Sequence, residues 1–226
     1  MEIGDCGLWR MGDVMVAVAG ERLWLLRERA VFWPARGTLL VADPHFGKAA
    51  TFRAGGIPVP GGVTADNLGR LDAALARTGA RRLVCLGDLL HARAGRAQQT
   101  MAAIGAWRAQ RPALQWLLVR GNHDRRAGDP PVAWDVDCVD EPFAAAPFVF
   151  RHEPQAEADG YVLAGHVHPA VRVGRGSLAE TAACFLFGDA VGILPAFGEF
   201  TGTATVRPRP GDRVYLLADD EVIAIG

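Results

Sequence analysis

The chain has 226 residues, about the length of one domain. Half of them are hydrophobic and 22% are charged, which excludes a mainly disordered chain, while 27 glycines and 14 prolines without a fixed period exclude a collagen-like or low-complexity one. The net charge of −1 does not mark a nucleic-acid binder, and Lys48 is the sole lysine beside a large set of arginines. No apolar run approaches the roughly 18 residues that cross a bilayer. Met1 to Arg10 carries Glu2 and Asp5 and lacks the basic-then-apolar pattern of a secretory signal. Cys6, Cys85, Cys138 and Cys184 are scattered without a CxxC pair and read as buried reduced thiols, so a single cytoplasmic domain over 1–226, with no membrane association, is expected. The tryptophans Trp9, Trp24, Trp33, Trp107, Trp116 and Trp134 read as core or subunit interface rather than base-stacking platforms.

In chain order, Val14 to Val18, Leu23 to Leu26, Ala30 to Trp33 and Thr38 to Val41 read as short strands, with Gly20-Glu21 and Pro34 to Gly37 making hairpins. The run Thr38 to Ala42 ends in Asp43-Pro44-His45. Phe46 to Val63 is rich in Gly and Pro and long for a connection, so a loop is expected that shapes a substrate mouth and contributes to homo-oligomer contacts. From Thr64 to Arg77, Leu68, Leu71 and Leu75 recur at helical steps, with Thr64 as the expected N-cap and Gly79 as the stop. Arg82 to Leu86 reads as a strand ending in Gly87-Asp88, and Ala97 to Arg108 as a second helix before Pro112. Leu114 to Val119 ends in Arg120-Gly121-Asn122-His123-Asp124, Phe148 to Phe150 in Arg151-His152, and Tyr161 to Ala164 in Gly165-His166-Val167-His168. Val171 to Val173, Cys184 to Phe187, Thr203 to Arg207, Val214 to Leu217 and Val222 to Ile225 complete the strands, with a turn at Asp219-Asp220. Alternating strands and helices imply parallel crossover units. Antiparallel additions on both flanks imply an α/β fold of two sheets between helices.

Five apolar runs thus end in Asp, His or Asn, at the strand edge where open α/β sheets bind ligands. Five of the six histidines belong to these ends, and the sixth, His91, follows Asp88 by three residues. Asp43, His45, Asp88, Asn122, His152, His166 and His168 are too many donors for one ion, but about the number that two ions sharing a bridging carboxylate require. Imidazole, carboxylate and amide oxygen without thiolate suit Mn, Fe, Zn or Ni.

Asp43-x-His45, Gly87-Asp88, Gly121-Asn122-His123-Asp124, His152 and Gly165-His166-x-His168 resemble, in order and approximate spacing, the calcineurin-like metallophosphoesterases. Phe46-Gly47-Lys48-Ala49, Phe52-Arg53-x-Gly55-Gly56-Ile57-Pro58-Val59-Pro60 and Leu194-Pro195-Ala196-Phe197-Gly198-x-Phe200-Thr201-Gly202 extend the likeness to the bacterial DNA-ligase-associated phosphoesterases, the PdeM type. That resemblance implies a four-layer α/β/β/α sandwich of two mixed sheets flanked by helices, and two divalent metals, Mn favoured. It implies that Asp43, His45, Asp88 and His168 hold one ion, that Asp88, Asn122, His152 and His166 hold the other, and that a hydroxide between the ions attacks the phosphoester. His123 would protonate the leaving oxygen, and Asp124 would orient His123. The implied substrate is a phosphodiester, including single-stranded DNA or a nucleotide, with a role in DNA repair beside a DNA ligase or helicase. The alternatives are a phosphomonoesterase or pyrophosphatase acting on nucleotides or lipid-A precursors, and a scaffold that has lost its chemistry. No amphipathic basic helix favours the lipid version. His91, Arg93 and Arg125 are candidate substrate contacts, and Arg120, Arg126, Arg96, Lys48 and Arg53 lie in or near the same loops.

Overall fold

The computed structural model describes residues 12–174, 179–219 and 221–225. Cys6, Trp9, the Met1 to Arg10 segment and half of the Asp219-Asp220 turn therefore lie outside the described residues. The strands are short, with β-branched and aromatic side chains alternating between two buried faces. β1 (Val14–Val18), β2 (Glu21–Leu26), β3 (Ala30–Trp33) and β4 (Thr38–Val41) form an antiparallel meander. Chain reversal then gives way to crossovers: α1 (Lys48–Ala54) and α2 (Val63–Thr78) lead to β5 (Arg82–Cys85), and α3 (Gln98–Ala109) leads to β6 (Gln115–Val119). After α4 (Asn122–Ala127) comes β7 (Asp137–Val139), and β4 to β7 run parallel in the first sheet.

The rest of the chain builds the second sheet. It comprises β8 (Phe143–Ala145), β9 (Phe148–Phe150), β10 (Tyr161–Ala164), β11 (Pro169–Val173), β12 (Glu180–Phe187), β13 (Val191–Ile193), β14 (Ala204–Thr205), β15 (Arg213–Ala218) and β16 (Glu221–Ile225). Its path runs β14-β11-β12-β13-β10-β9-β8, with β15 and β16 attached to β12. The two sheets are therefore sequential halves of the chain.

Residue alternation assigns each face of the first sheet. Leu40, Ala42, Val84, Leu86, Leu117 and Val119 point toward Phe148, Phe150, Leu163, Phe185 and Phe187 of the second sheet. Their neighbours Leu39, Val41, Leu83, Cys85, Trp116 and Leu118 pack against Leu68, Leu71 and Ala74 of α2 and Ile104 and Trp107 of α3. Each register step thus sends one side chain to the sheet interface and the next to the helices. No described helix follows Trp134, so the helical cover comes from the first half of the chain. Among the described residues, no helix is long and apolar enough to cross a membrane.

The two mixed sheets with flanking helices agree with the sequence reading; several local features differ from it. Phe46 to Val63 contains α1, seated on the 93–95 turn, rather than a continuous loop. α2 begins at Val63 behind a left-handed Gly62, so Thr64 is inside the helix and not its N-cap. Trp33, Trp107, Trp116 and Trp134 are buried, as expected, and Cys85, Cys138 and Cys184 are free thiols.

Candidate metal centre

Apolar strands stop where polar donors begin, and the backbone there turns sharply. Asp43, His45, Asp88, His166 and His168 all have positive φ, between 46° and 69°. That left-handed region is uncommon for residues with a Cβ, though Asp and His tolerate it better than most, and such strain gathers at functional sites. The turns are stitched together by backbone hydrogen bonds: His45 N donates to Asp88 O at 2.9 Å, Phe46 N to Leu89 O at 2.9 Å, and Asp43 N to Gly87 O at 3.2 Å. From the second sheet, the segment after β13 reaches back, with Phe197 N donating to Ala42 O at 2.7 Å. Glu141 Oε2 accepts from His152 N at 2.8 Å and holds that turn in place.

Seven expected donors converge in two groups, Asp43 with His45 and His168, and Asp88 with His152 and His166; within each group the donor atoms lie within 4.8 Å of one another. Asn122 joins the second, its Oδ1 lying 3.0 Å from His152 Nε2, which is 3.0 Å from His166 Nδ1 and 3.5 Å from Asp88 Oδ2. Asp88 Oδ2 also lies 3.8 Å from His45 Nε2, so this carboxylate faces both groups. In the first group, His168 Nε2 is 3.6 Å from Asp43 Oδ1.

The tautomers follow from the partners. His152 Nδ1 donates to Leu86 O at 3.0 Å and His168 Nδ1 to Gly202 O at 2.8 Å, because a carbonyl can only accept. Their Nε2 atoms are left facing the carboxylates, His152 Nε2 3.5 Å from Asp88 Oδ2 and His168 Nε2 3.6 Å from Asp43 Oδ1. Burial pushes the His45 pKa down to about 2, with His168 and His123 adding to the effect, so its imidazole is neutral and available as a donor. Burial also raises the pKa of Asp88, against the nearby His152.

Three observations test whether a metal fits. Asp43 Oδ1 is buried and has no hydrogen-bond partner, a costly state for a carboxylate oxygen unless a cation neutralises it. The donor set is hard to borderline, with no thiolate. Space has also been kept for the donors: a Cβ on Gly121 would lie 2.2 Å from Asp88 Oδ1, and one on Gly87, at φ +85°, would lie 2.1 Å from His152 Nδ1. The residues fit divalent metal binding.

His123 stands beside this cluster, its ring 4.9 Å from that of His45 and stacked at 4.8 Å on that of His91. Its Nδ1 donates to the His91 carbonyl at 2.6 Å, which turns Nε2 outward. This corrects the role expected for Asp124. Its carboxylate does not touch the His123 ring; Oδ1 accepts from Leu90 N at 3.1 Å and Oδ2 from Gly121 N at 3.0 Å. As the third residue of α4, Asp124 closes that helix start and pins the backbone next to His91.

The expected substrate contacts are near the site with different degrees of freedom. His91 is half-buried, with Nδ1 3.3 Å from His45 Nδ1, and the two join His123 in a third group of imidazoles. Arg93 and Arg125 are exposed, and Arg93 Nε donates to Arg126 O at 3.2 Å. Arg120 is paired with Asp129 at 2.8 Å, and Arg96 donates to Asp129 O at 2.8 Å, so both are committed to holding the loop after α4. From α1, Phe52 packs 6.3 Å from the His91 ring and Lys48 lies over Phe52, so this helix walls the site where a loop was expected. The supporting roles of Glu141 and the Gly202 carbonyl were missed in sequence, since Glu141 lies outside the motifs and Gly202, though inside one, acts through its backbone oxygen.

Two sheets whose shared edge gathers His, Asp and Asn donors define a metal-dependent class of α/β enzyme, and similarity to known proteins narrows it. No protein-family model matches the chain, and no curated protein does. Among solved structures, the Pseudomonas putida nuclease MPE is 42% identical, with 94% of this chain and 100% of that chain covered, at a TM-score of 0.84. YfcE, a phosphoesterase from E. coli, is 18% identical over 83% of this chain and 96% of its own, at a TM-score of 0.36, and adds no argument. The chain belongs to the calcineurin-like metallophosphoesterases, a family of metal-dependent phosphoesterases.

Proposed function

We propose that this protein hydrolyses phosphodiester bonds in single-stranded nucleic acid, using two divalent cations, Mn in preference to Fe, Zn or Ni. The observation that carries the reading is the convergence of two donor groups on Asp88, with the buried Asp43 Oδ1 left unpartnered between its neighbours. The similarity to a nuclease at 42% identity supports the substrate class. Asp43, His45 and His168 would hold one cation, Asn122, His152 and His166 the other, and Asp88 would serve both. When bound, such ions supply neutralisation of phosphoryl charge and hydroxide at near-neutral pH.

The chain's own residues do the rest. The Leu86 and Gly202 carbonyls fix the imidazoles of His152 and His168 so that Nε2 faces Asp88 and Asp43, where it would be free to ligate a cation. The His91 carbonyl holds the Nδ1 proton of His123, leaving Nε2 to carry a proton to the leaving oxygen. Exposed Arg93, Arg125 and Arg126 provide phosphate contacts along the rim. A place in DNA repair beside a ligase or helicase rests on the family resemblance alone.

The test is purified protein reconstituted with each metal and assayed on a bis-aryl phosphate, a mono-aryl phosphate and a single-stranded oligonucleotide. Two ions per chain and cleavage of both diesters above the monoester are expected. A monoester preference would return the phosphatase reading. Less than one ion per chain would leave a scaffold without chemistry.

A further inference from the structure

Beside His168 the surface opens into a cleft of about 310 Å³, whose lining includes Arg29, His168, Pro169, Thr181, Phe200 and Thr203. Only His168 is shared with the donor groups. The wall formed by residues 196–203 is fastened to both metal-side turns: Gly198 N donates to Asp43 O at 3.2 Å, and Gly202 O accepts from His168 Nδ1 at 2.8 Å. The cleft is therefore held in fixed register with the cations' ligands.

Its two most distinctive residues are strained. Among the nine described non-glycine residues with positive φ, five are expected ligands and two more, Arg29 at 60° and Phe200 at 57°, line this cleft. An aromatic residue in that region is a backbone outlier; Arg29 closes the β2–β3 hairpin, its N donating to Leu26 O at 3.0 Å, and Phe200 lies in the turn that follows Gly198. Arg29 is half-buried, and among the described residues its guanidinium makes no hydrogen bond or ion pair. The carboxylate whose field it feels, Glu199, is already held by Arg70 at 2.9 Å. Phe200 leaves 47% of its surface exposed.

We propose that this cleft receives the nucleotide adjoining the scissile phosphate, with Arg29 on the next phosphate and Phe200 stacked against the base. The inference rests on the nuclease reading above and extends it to one named subsite. The volume lies at the lower end of small-molecule sites, about 300–1,000 Å³, and suits one nucleoside rather than a duplex. A planar guanidinium matches phosphate oxygens in pairs, and an aromatic face accepts any base.

The variants Arg29→Gln and Phe200→Ala test this, with Phe200→Tyr as a ring-preserving companion. The readout is the ratio of kcat/KM for a single-stranded oligonucleotide to that for a bis-aryl phosphate, with metal content and thermal midpoint measured in parallel. For the first two variants the ratio should fall about tenfold, the scale of one lost base stack, and Phe200→Tyr should keep it. Equal loss on both substrates, or no change in the ratio, overturns the cleft assignment while leaving the nuclease reading intact. A parent protein that cleaves the aryl diester but no oligonucleotide overturns both.

Discussion

His123 and Asp88 separate the chemistry of proton delivery from that of metal holding. His123→Ala removes a side chain that contacts a backbone carbonyl and other rings but no carboxylate oxygen. Turnover should drop about 10²–10⁴-fold while metal content per chain, read by elemental analysis, stays near that of the parent. Asp88→Asn removes the charge that faces both donor groups, so turnover and the occupancy of both ions should fall together. Equal metal loss in the two variants would contradict this division. Asp124 acts on backbone: Asp124→Ala leaves the Leu90 and Gly121 N–H groups without their acceptor, at a cost of about 1–3 kcal/mol each, read as a lower denaturant midpoint. The identities of these residues were plain in the sequence. Asp124's partner was not, because Leu90 lies 34 positions away and comes within reach only through the turn after β5.

The loops between elements are packed as tightly as the sheets they join. Gly121→Ala should be far more damaging than a surface Gly→Ala, because the new methyl would meet Asp88 Oδ1 at 2.2 Å and His152 Cε1 at 2.9 Å. The expected outcome is loss of metal with the far-ultraviolet dichroism of the sheets retained; normal metal content in the variant would show that the turn yields more easily than its contacts suggest. The element pattern was legible in sequence wherever hydrophobic periodicity was long enough to register. The strands β4, β5 and β6 and the helix α2 announce themselves this way. β8 and β13, at three residues each, are too short for a period to show. α4 is written in polar letters, Asn-His-Asp-Arg-Arg-Ala, because its residues are spent on the site rather than on a buried face. α1 was hidden by the glycines and prolines that follow it, which dominate the composition of the segment without entering the helix.

For the molecule as a whole, buried groups that hold protons more tightly when folded set its alkaline limit. Burial raises the Cys184 thiol from its ordinary 9.0 to about 12, and burial likewise raises the Tyr161 phenol. Both are neutral in either state below pH about 9, so their contribution is then intact. As the pH climbs past that value, the unfolded chain releases these protons first, and stability declines until the folded values are reached. Urea midpoints at pH about 8 and about 10.5 should show the fall, and Cys184→Ala should flatten it. At neutral pH, chelation should act in the same direction by another route. Ions held at about 1,000 times their Kd contribute about 4 kcal/mol to the folded state, so excess chelator should lower the thermal midpoint, and added Mn²⁺ should restore it. The sheets divide the sequence in two: Asp43, Asp88 and Asn122 follow strands of the first, while His152, His166 and His168 follow strands of the second. Under the proposed ligand assignment, cations there would be rivets through a seam, each fixed to both plates. A nick in the short stretch between Val139 and Phe143 would leave neither fragment with a full set of ligands, and their reunion would become a titration of metal.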